Sequence, residues 1–479
     1  MATKAKITGA RAAEATFIEG KGSAIESLDI TSNKTDKTIS LANGVMVFLY
    51  YESILQDSIR ALVSYSDSGN TIGSGKDPKN YKSAMEGLPI VGQENVSLKI
   101  QDANQNKLEM PLYVNKVTPL TEDTRKQVVQ LELASREYIM NEKVRVNTRM
   151  DGKISEHVKK MLEDKEYLGP TDKAQQAEGF KAKELDIEDT ENSYNFVGNN
   201  KKPFYLINWL SRGAVPKLAE GGGETGVSAG FLFFETAKGL HFKSIDSLFD
   251  EKKNPIKKSI LYNESPDEND TPPEGYDVKA LEYSVNNAIN IQQKLKLGAY
   301  STRLIVFNPF NCYYEVVAPK AKAVEDKLSL AGKELPVLNK EFDKEGKNKD
   351  FSRTTYMLLD PGSLPTGKGI GKGQEQIQKS KEENYKPKEW LNQGIMRMNQ
   401  LFSQKTTLTI PGDFTLHAGD AIFVDAPQLK GDPENDKENQ QTGGIYIIAD
   451  LCHYISAKNT LTKLNLVRDS FGRKPKPRK

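Results

Sequence analysis

Apolar residues recur at every second position through much of this chain. Val45, Val47, Leu49 and Tyr51 alternate with Met46, Phe48 and Tyr50, so both faces of this first run are expected to be buried. Ile59, Ala61, Val63 and Tyr65 alternate with Arg60, Leu62 and Ser64, and Val96, Leu98 and Ile100 with Ser97 and Lys99. Met110, Leu112 and Val114 follow a turn, and Val129, Leu131 and Leu133 alternate with Gln130 and Glu132. Runs this short, separated by turn residues, predict a barrel or sandwich over 38–150.

The period then changes. Ile154, Val158, Met161 and Leu162 fall at helical spacing within 151–168, with Ser155 a competing cap, and a polar, acidic stretch follows to Asn200. Pro203 opens a second predicted helix to Leu218, at a position where its missing N–H costs nothing. Gly230–Thr236 and Leu240–Ile245, with a short Ala-Lys-Gly link, predict a hairpin. A short strand is expected at Ser259–Asn263, a helix over Val278–Leu297, and a long strand over Tyr300–Val317, bent at Asn308-Pro309. Pro319–Tyr385 is rich in Lys, Glu and Gly and reads as a long excursion, and Pro387–Phe402 as a helix. Leu408–Leu466 is again dense in strand signal.

The predicted fold class is α+β and β-rich: two antiparallel barrels, a smaller mixed middle region and long polar loops. The segments are an N-terminal arm at 1–37, a first barrel at 38–150 and a middle region at 151–258. A second barrel is divided between 259–318 and 403–468, an insertion at 319–402 ends in a helix, and a basic tail closes the chain at 469–479.

Composition narrows the function. The 479 residues carry 67 basic and 65 acidic side chains, a net charge of +2, which gives no whole-protein field for gathering nucleic acid or anionic membrane. No apolar run suits a signal peptide or a membrane helix, so no membrane insertion is expected. Cys312 and Cys452 lie in strand-like runs and read as buried free thiols rather than a disulfide. His157, His241, His417 and His453 are scattered singly, without metal-ligand spacing.

Candidate chemistry is sparse. The glycine-rich run from Thr366 to Gln374 lacks the buried strand, the following helix and the Ser or Thr that a phosphate loop needs. The run from Ala219 to Glu224 fails in the same way. Glu235, Asp246 and Asp250, or Asp413, Asp420 and Asp425, are close enough in sequence to suggest paired catalytic carboxylates. However, Asp413 and Asp420 follow Gly at strand ends, where Asp sets turns. Cys452 and His453 are neighbours on a strand and point apart, which excludes a dyad. No catalytic, cofactor-binding or metal residue is assigned, and no cofactor or enzymatic activity is expected. The tail from Arg473 to Lys479 reads as a solvated terminus, or as a handle for an acidic partner or passing DNA.

Several strings resemble a known family. Phe204–Arg212, then Gly230–Thr236 and Gly239–Phe249, resemble the central region of baseplate hub subunits of contractile-tailed, myovirus-type bacteriophages. Leu295–Arg303, the Pro411-Gly412-Asp413 and Ala418-Gly419-Asp420 turns and Tyr51–Leu55 are similar to the same family. The resemblance implies a homotrimeric ring in which each chain supplies two barrels like those of the tail tube. Its implied partners are the tail tube protein, the central spike protein and baseplate wedge proteins, with DNA passing through the lumen without specific binding. The implied location is the virion tail baseplate, assembled in the host bacterial cytoplasm. The excursion Pro319–Tyr385 and the polar arm depart from the family pattern. Two other readings stay open: a tail-associated peptidoglycan hydrolase, and a spike-like adaptor of a contractile injection system.

Overall fold

A computed structural model describes residues 23–217 apart from 36, 70–71, 73–80, 103 and 124. It further describes 229–262, 272, 274–285, 290–309, 312–317, 328–336, 338–339, 341–342, 353–358, 387–426, 439, 441–456 and 458–475. Strands far outnumber helices among them.

The first block contributes β1 (Ala24–Thr31), β2 (Thr38–Ser40), β3 (Val45–Ser53), β4 (Arg60–Asp67), β5 (Asn95–Gln101), β6 (Lys107–Glu122) and β7 (Gln127–Ala134). The middle region holds β8 (Arg149–Met150), β9 (Glu184–Ile187), β10 (Phe196–Val197), β11 (Phe231–Glu235) and β12 (Gly239–Ser244). Next come β13 (Lys258–Leu261), β14 (Val278–Lys279), β15 (Glu282–Val285), β16 (Thr302–Asn308), β17 (Tyr313–Val317) and β18 (Arg353–Leu358). The last are β19 (Gln404–Pro411), β20 (Ala421–Asp425), β21 (Gly444–Ser456) and β22 (Thr460–Arg468).

The two strand-rich blocks are joined in one fourteen-stranded sheet. Its main path runs β14-β13-β20-β21-β3-β4-β7-β6-β5-β1-β2, with β22 beside β21, β19 beside β22 and β15 beside β19. Most pairs are antiparallel, but β13 lies parallel to both β14 and β20, so the sheet is mixed. One core cluster runs beneath both blocks, from Leu28, Phe48 and Val63 to Leu408, Leu451 and Leu464.

Several expectations are corrected. The arm ends early: Ala24–Thr31 is a strand paired with β5 and β2, because Leu28 and Ile30 alternate with polar neighbours and find an open sheet edge. β3 does not bury both faces. A register shift between Val45 and Val47 turns Phe48, Tyr50 and Glu52 inward and leaves Met46 and Tyr51 exposed. The predicted helix over Val278–Leu297 is helical at Ile291–Leu297, after β14 and β15. Its β-branched and aromatic residues Val278, Tyr283 and Val285 favour strands once sheet partners exist.

The long bent strand is two, since the chain reverses at Pro309 and β16 pairs antiparallel with β17. Cys312 therefore sits exposed in the reversal, with φ 57°, not buried in a strand. With β18, which comes from within the expected excursion, these strands form a separate three-stranded sheet rather than part of the expected second barrel, and the two expected barrels are instead joined as one sheet.

The middle region follows its pattern in part: the helix expected over Pro203–Leu218 ends at Ser211, and Leu218 lies outside the described residues. Ile154–Glu163 is a helix burying Ile154, Val158, Met161 and Leu162, and Glu156 accepts from the Lys153 amide at its start. Ser155 does not cap it. Its hydroxyl accepts from the Thr190 amide. Pro203–Ser211 is a helix with Pro in its first turn. The hairpin β11–β12 gains a third, parallel strand in β9 from the polar stretch. Gly239 is essential to that pairing, because a Cβ there would sit 1.9 Å from the Glu184 carbonyl oxygen.

Candidate assembly interface

The seam between the two blocks is the pairing of β21 with β3, from Asp450↔Ser53 to Ser456↔Val47. β21 is long enough to serve two neighbours in turn. Its first residues pair with β20, a bulge falls between Ile448 and Asp450, and its later residues take β3. Cross-strand pairs Phe48↔Ile455 and Tyr50↔His453 are buried on the inner face. On the outer face, Leu49↔Tyr454 and Tyr51↔Cys452 are partly exposed. At its Asp450 end, Ser53 donates to the Asp450 carboxylate at 2.6 Å.

Beneath the seam, buried charges bind the regions together. The Glu52 carboxylate accepts from Tyr50 Oη (2.8 Å), Ala237 N (2.7 Å) and Ala418 N (2.8 Å), and lies 3.1 Å from His417 Nδ1. Those partners belong to the first block, the turn of the β11–β12 hairpin and the loop before β20. Burial pushes the Glu52 carboxyl up, but the His417 charge and hydrogen bond and the two amides outweigh it and hold it at about 2.

Of two further clusters, the first is fully buried and the second is buried except at Asp246, which is partly exposed. Lys183 Nζ donates to Glu137 and to Glu235, each at 2.5 Å, and Glu235 also accepts from the Ile59 amide at 3.1 Å. Burial would lower the Lys183 pKa; the two carboxylates reverse this and raise it. Arg397, on the helix Pro387–Gln400, donates to Asp246 (2.5 Å), Asp469 (2.8 Å) and the Ser329 carbonyl (3.0 Å).

These contacts account for the carboxylates that their sequence proximity singled out. Glu235 and Asp246 are in the clusters above. Asp250 accepts from the Lys252 amide, and Asp413 from Thr415. Asp420 accepts from the His417 amide, and Asp425 from Arg473 (2.8 Å) and Tyr276 (2.5 Å). The tail is thus tied down at Arg473. The histidines are equally engaged. His157 Nε2 is 2.8 Å from the Tyr194 carbonyl, and His241 contacts Thr236 and Asp186. His453 is buried against Thr462, Tyr50 and Phe414, while Cys452 occupies the opposite face of β21.

Among the described residues no group of three or more His, Cys, Asp or Glu could hold a metal ion, and no helix is long and apolar enough to cross a membrane. The glycine-rich runs at 219–224 and 366–374 lie outside the described residues. A cleft of about 100 Å³ lined by Asp186, His241, Lys243 and Asp420 is well below the ~300 Å³ of an ordinary ligand site.

Sequence reasoning missed Glu52, Lys183 and Arg397. For Glu52 a signal existed, since alternation places it on the same side as Phe48 and Tyr50. Lys183 sits in a polar stretch with no such mark, and Arg397 lies between Met396 and Met398 on a helix whose apolar positions do not announce a buried charge.

No family model matches the chain, and no curated protein matches it. Its structural neighbours are phage tail and baseplate proteins and type VI secretion components. A 43 kDa tail protein of prophage MuSo2 from Shewanella oneidensis is 10% identical, with a TM-score of 0.43 over 93% of this chain and 98% of that one. A tail protein from Neisseria meningitidis is 9% identical, with a TM-score of 0.45 over 94% and 97%. A component of the E. coli type VI secretion system, described as similar to T4 phage tail proteins, is 9% identical, with a TM-score of 0.39 over 95% and 80%.

Proposed function

We propose that this chain is a structural hub of a contractile phage tail baseplate. Three copies form a ring that joins the hexameric tail tube to the central spike and leaves a lumen for DNA. Wedge proteins surround it, and the chain itself performs no catalysis. The observation that carries this reading is the β21–β3 seam, which fuses two blocks of seven strands into one sheet. A chain that presents two strand blocks side by side can convert threefold into sixfold packing, because three copies offer six blocks. Clusters at Glu52, Lys183 and Arg397 fix the angle between the parts, as a ring segment under load requires. The resemblance of Phe204–Phe249 to hub subunits supports the same reading.

Light scattering of the purified chain tests it. Three times the 53.4 kDa chain mass is expected. A stable single-copy mass, together with no association with a tube or spike protein, overturns it. A zymogram for peptidoglycan hydrolysis is expected to stay blank.

A further inference from the structure

We propose that Lys183 and Glu235, once the chain has folded, join their side chains in an amide bond, with Glu137 carrying the protons. The three groups stand as a nucleophile held between an acceptor and a base. Lys183, Glu137 and Glu235 are 3%, 1% and 0% exposed. Lys183 Nζ is 2.5 Å from one oxygen of each carboxyl group. A contact that short leaves the Glu235 carboxyl carbon about 3–3.5 Å from the nitrogen, the separation of a near-attack arrangement.

Register brings the groups together. Glu235 pairs with Leu240 and Leu240 with Leu185, so the three share one face of the sheet β11-β12-β9. Lys183, two residues before Leu185, continues on that face. Glu137 enters from the first turn of the helix Arg136–Lys143.

The two carboxyl groups differ at their second oxygen. That of Glu137 accepts from the Arg136 guanidinium at 3.2 Å, and that of Glu235 from the Ile59 amide at 3.1 Å. Burial pushes both carboxyls up. At Glu235 it prevails, with the Glu137 charge beside it, whereas at Glu137 the charges of Lys183 and Arg136 outweigh it. At rest the triad is therefore an ammonium, a carboxylate and a carboxylic acid, which together carry no net charge.

The reaction balances within these three side chains. Lys183 passes one proton to Glu137, which removes the last two charges from a dry site. The free amine attacks the Glu235 carboxyl carbon, and the carbonyl electron pair moves to Oε2, where the Ile59 amide receives it. Glu137 gives its proton to the Oε1 hydroxyl, and the carbon–oxygen bond breaks to release water as the carbonyl re-forms. Glu137 then takes the surplus proton from nitrogen. The products are an amide, one water and a neutral Glu137. The two carboxylates raise the pKa of Lys183, so the free amine is rare and the step is slow. It happens once per chain and turns over no substrate. The bond fastens the start of β9 to the end of β11, and it is independent of ring formation, since a single copy would carry it too.

Mass spectrometry of the folded, full-length chain tests this. After denaturation it is expected to be one water lighter than the Lys183→Met chain, once the substitution is accounted for. Trypsin is expected to spare the Lys183–Glu184 bond and to release one branched fragment joining 182–201 to 218–238. Glu137→Gln keeps the shape of the base but cannot accept the proton, and a folded chain of full mass is expected. A folded unsubstituted chain at full mass overturns the proposal. A branch from Lys183 to Glu137, or loss of water from the Glu137→Gln chain, overturns the assignment of acceptor and base.

Discussion

Single residues set this protein's response to acid. Glu52 titrates at about 2 in the fold against 4.5 when free, so its contribution is complete above pH 4.5 and is lost as pH falls through 2. The shift corresponds to about 3 kcal/mol. Glu52→Ala strands the buried amide of Ala418 and the half-buried amide of Ala237, and we expect a loss of about 3 kcal/mol by urea titration at pH 7. His453 acts in a higher window. Burial holds it at about 4 against the usual 6.5, so the unfolded chain binds the extra proton and stability falls as pH drops from 6.5 to 4. His453→Gln is expected to flatten the urea midpoint across that window. An unchanged slope would show that another group titrates there.

Elements are held in place by features that local pattern does not announce. The helix Pro387–Gln400 is anchored through Arg397 to Asp246 and Asp469. Arg397→Leu removes the cation between the Asp246 and Asp469 carboxylates and leaves Asp469 only its bonds from Ala331 N and Ser470 Oγ, and we expect a loss of about 3 kcal/mol, with proteolysis entering at that helix first. Gly239→Ala drives a Cβ into the Glu184 backbone. It should cost at least about 2 kcal/mol, because a carbonyl in a strand cannot swing aside as a side chain can.

Elements with a single steady period were legible: the helix Ile154–Glu163, the hairpin β11–β12 and the strands β4, β5 and β7 all follow from spacing. β9 and β18 were not, since Glu184–Ile187 and Arg353–Leu358 lie in polar stretches and become strands by lying parallel to β12 and β16. Parallel partners are remote in sequence and leave no mark in a local window.

For the whole molecule, the seam decides whether the blocks behave as one body. A shared core lies beneath β3 and β21, and their amides bond to one another, so they should open together. Native-state hydrogen exchange is expected to give both strands the same opening free energy. A lower value for β21 alone would make the blocks independent domains.

The sequence by itself determined that this chain is β-rich and that its strands fall in two blocks around a mixed middle region. Those properties are local, written in period, turn chemistry and spacing. Tertiary structure alone decided that the blocks share one sheet, that Thr302–Val317 leaves it for a small sheet of its own, and that Glu52, Lys183 and Arg397 are the charges holding the regions together. Each of these depends on a partner far away in the chain. A strand edge or a buried charge is defined by what lies across from it, and that neighbour appears only when the chain is folded.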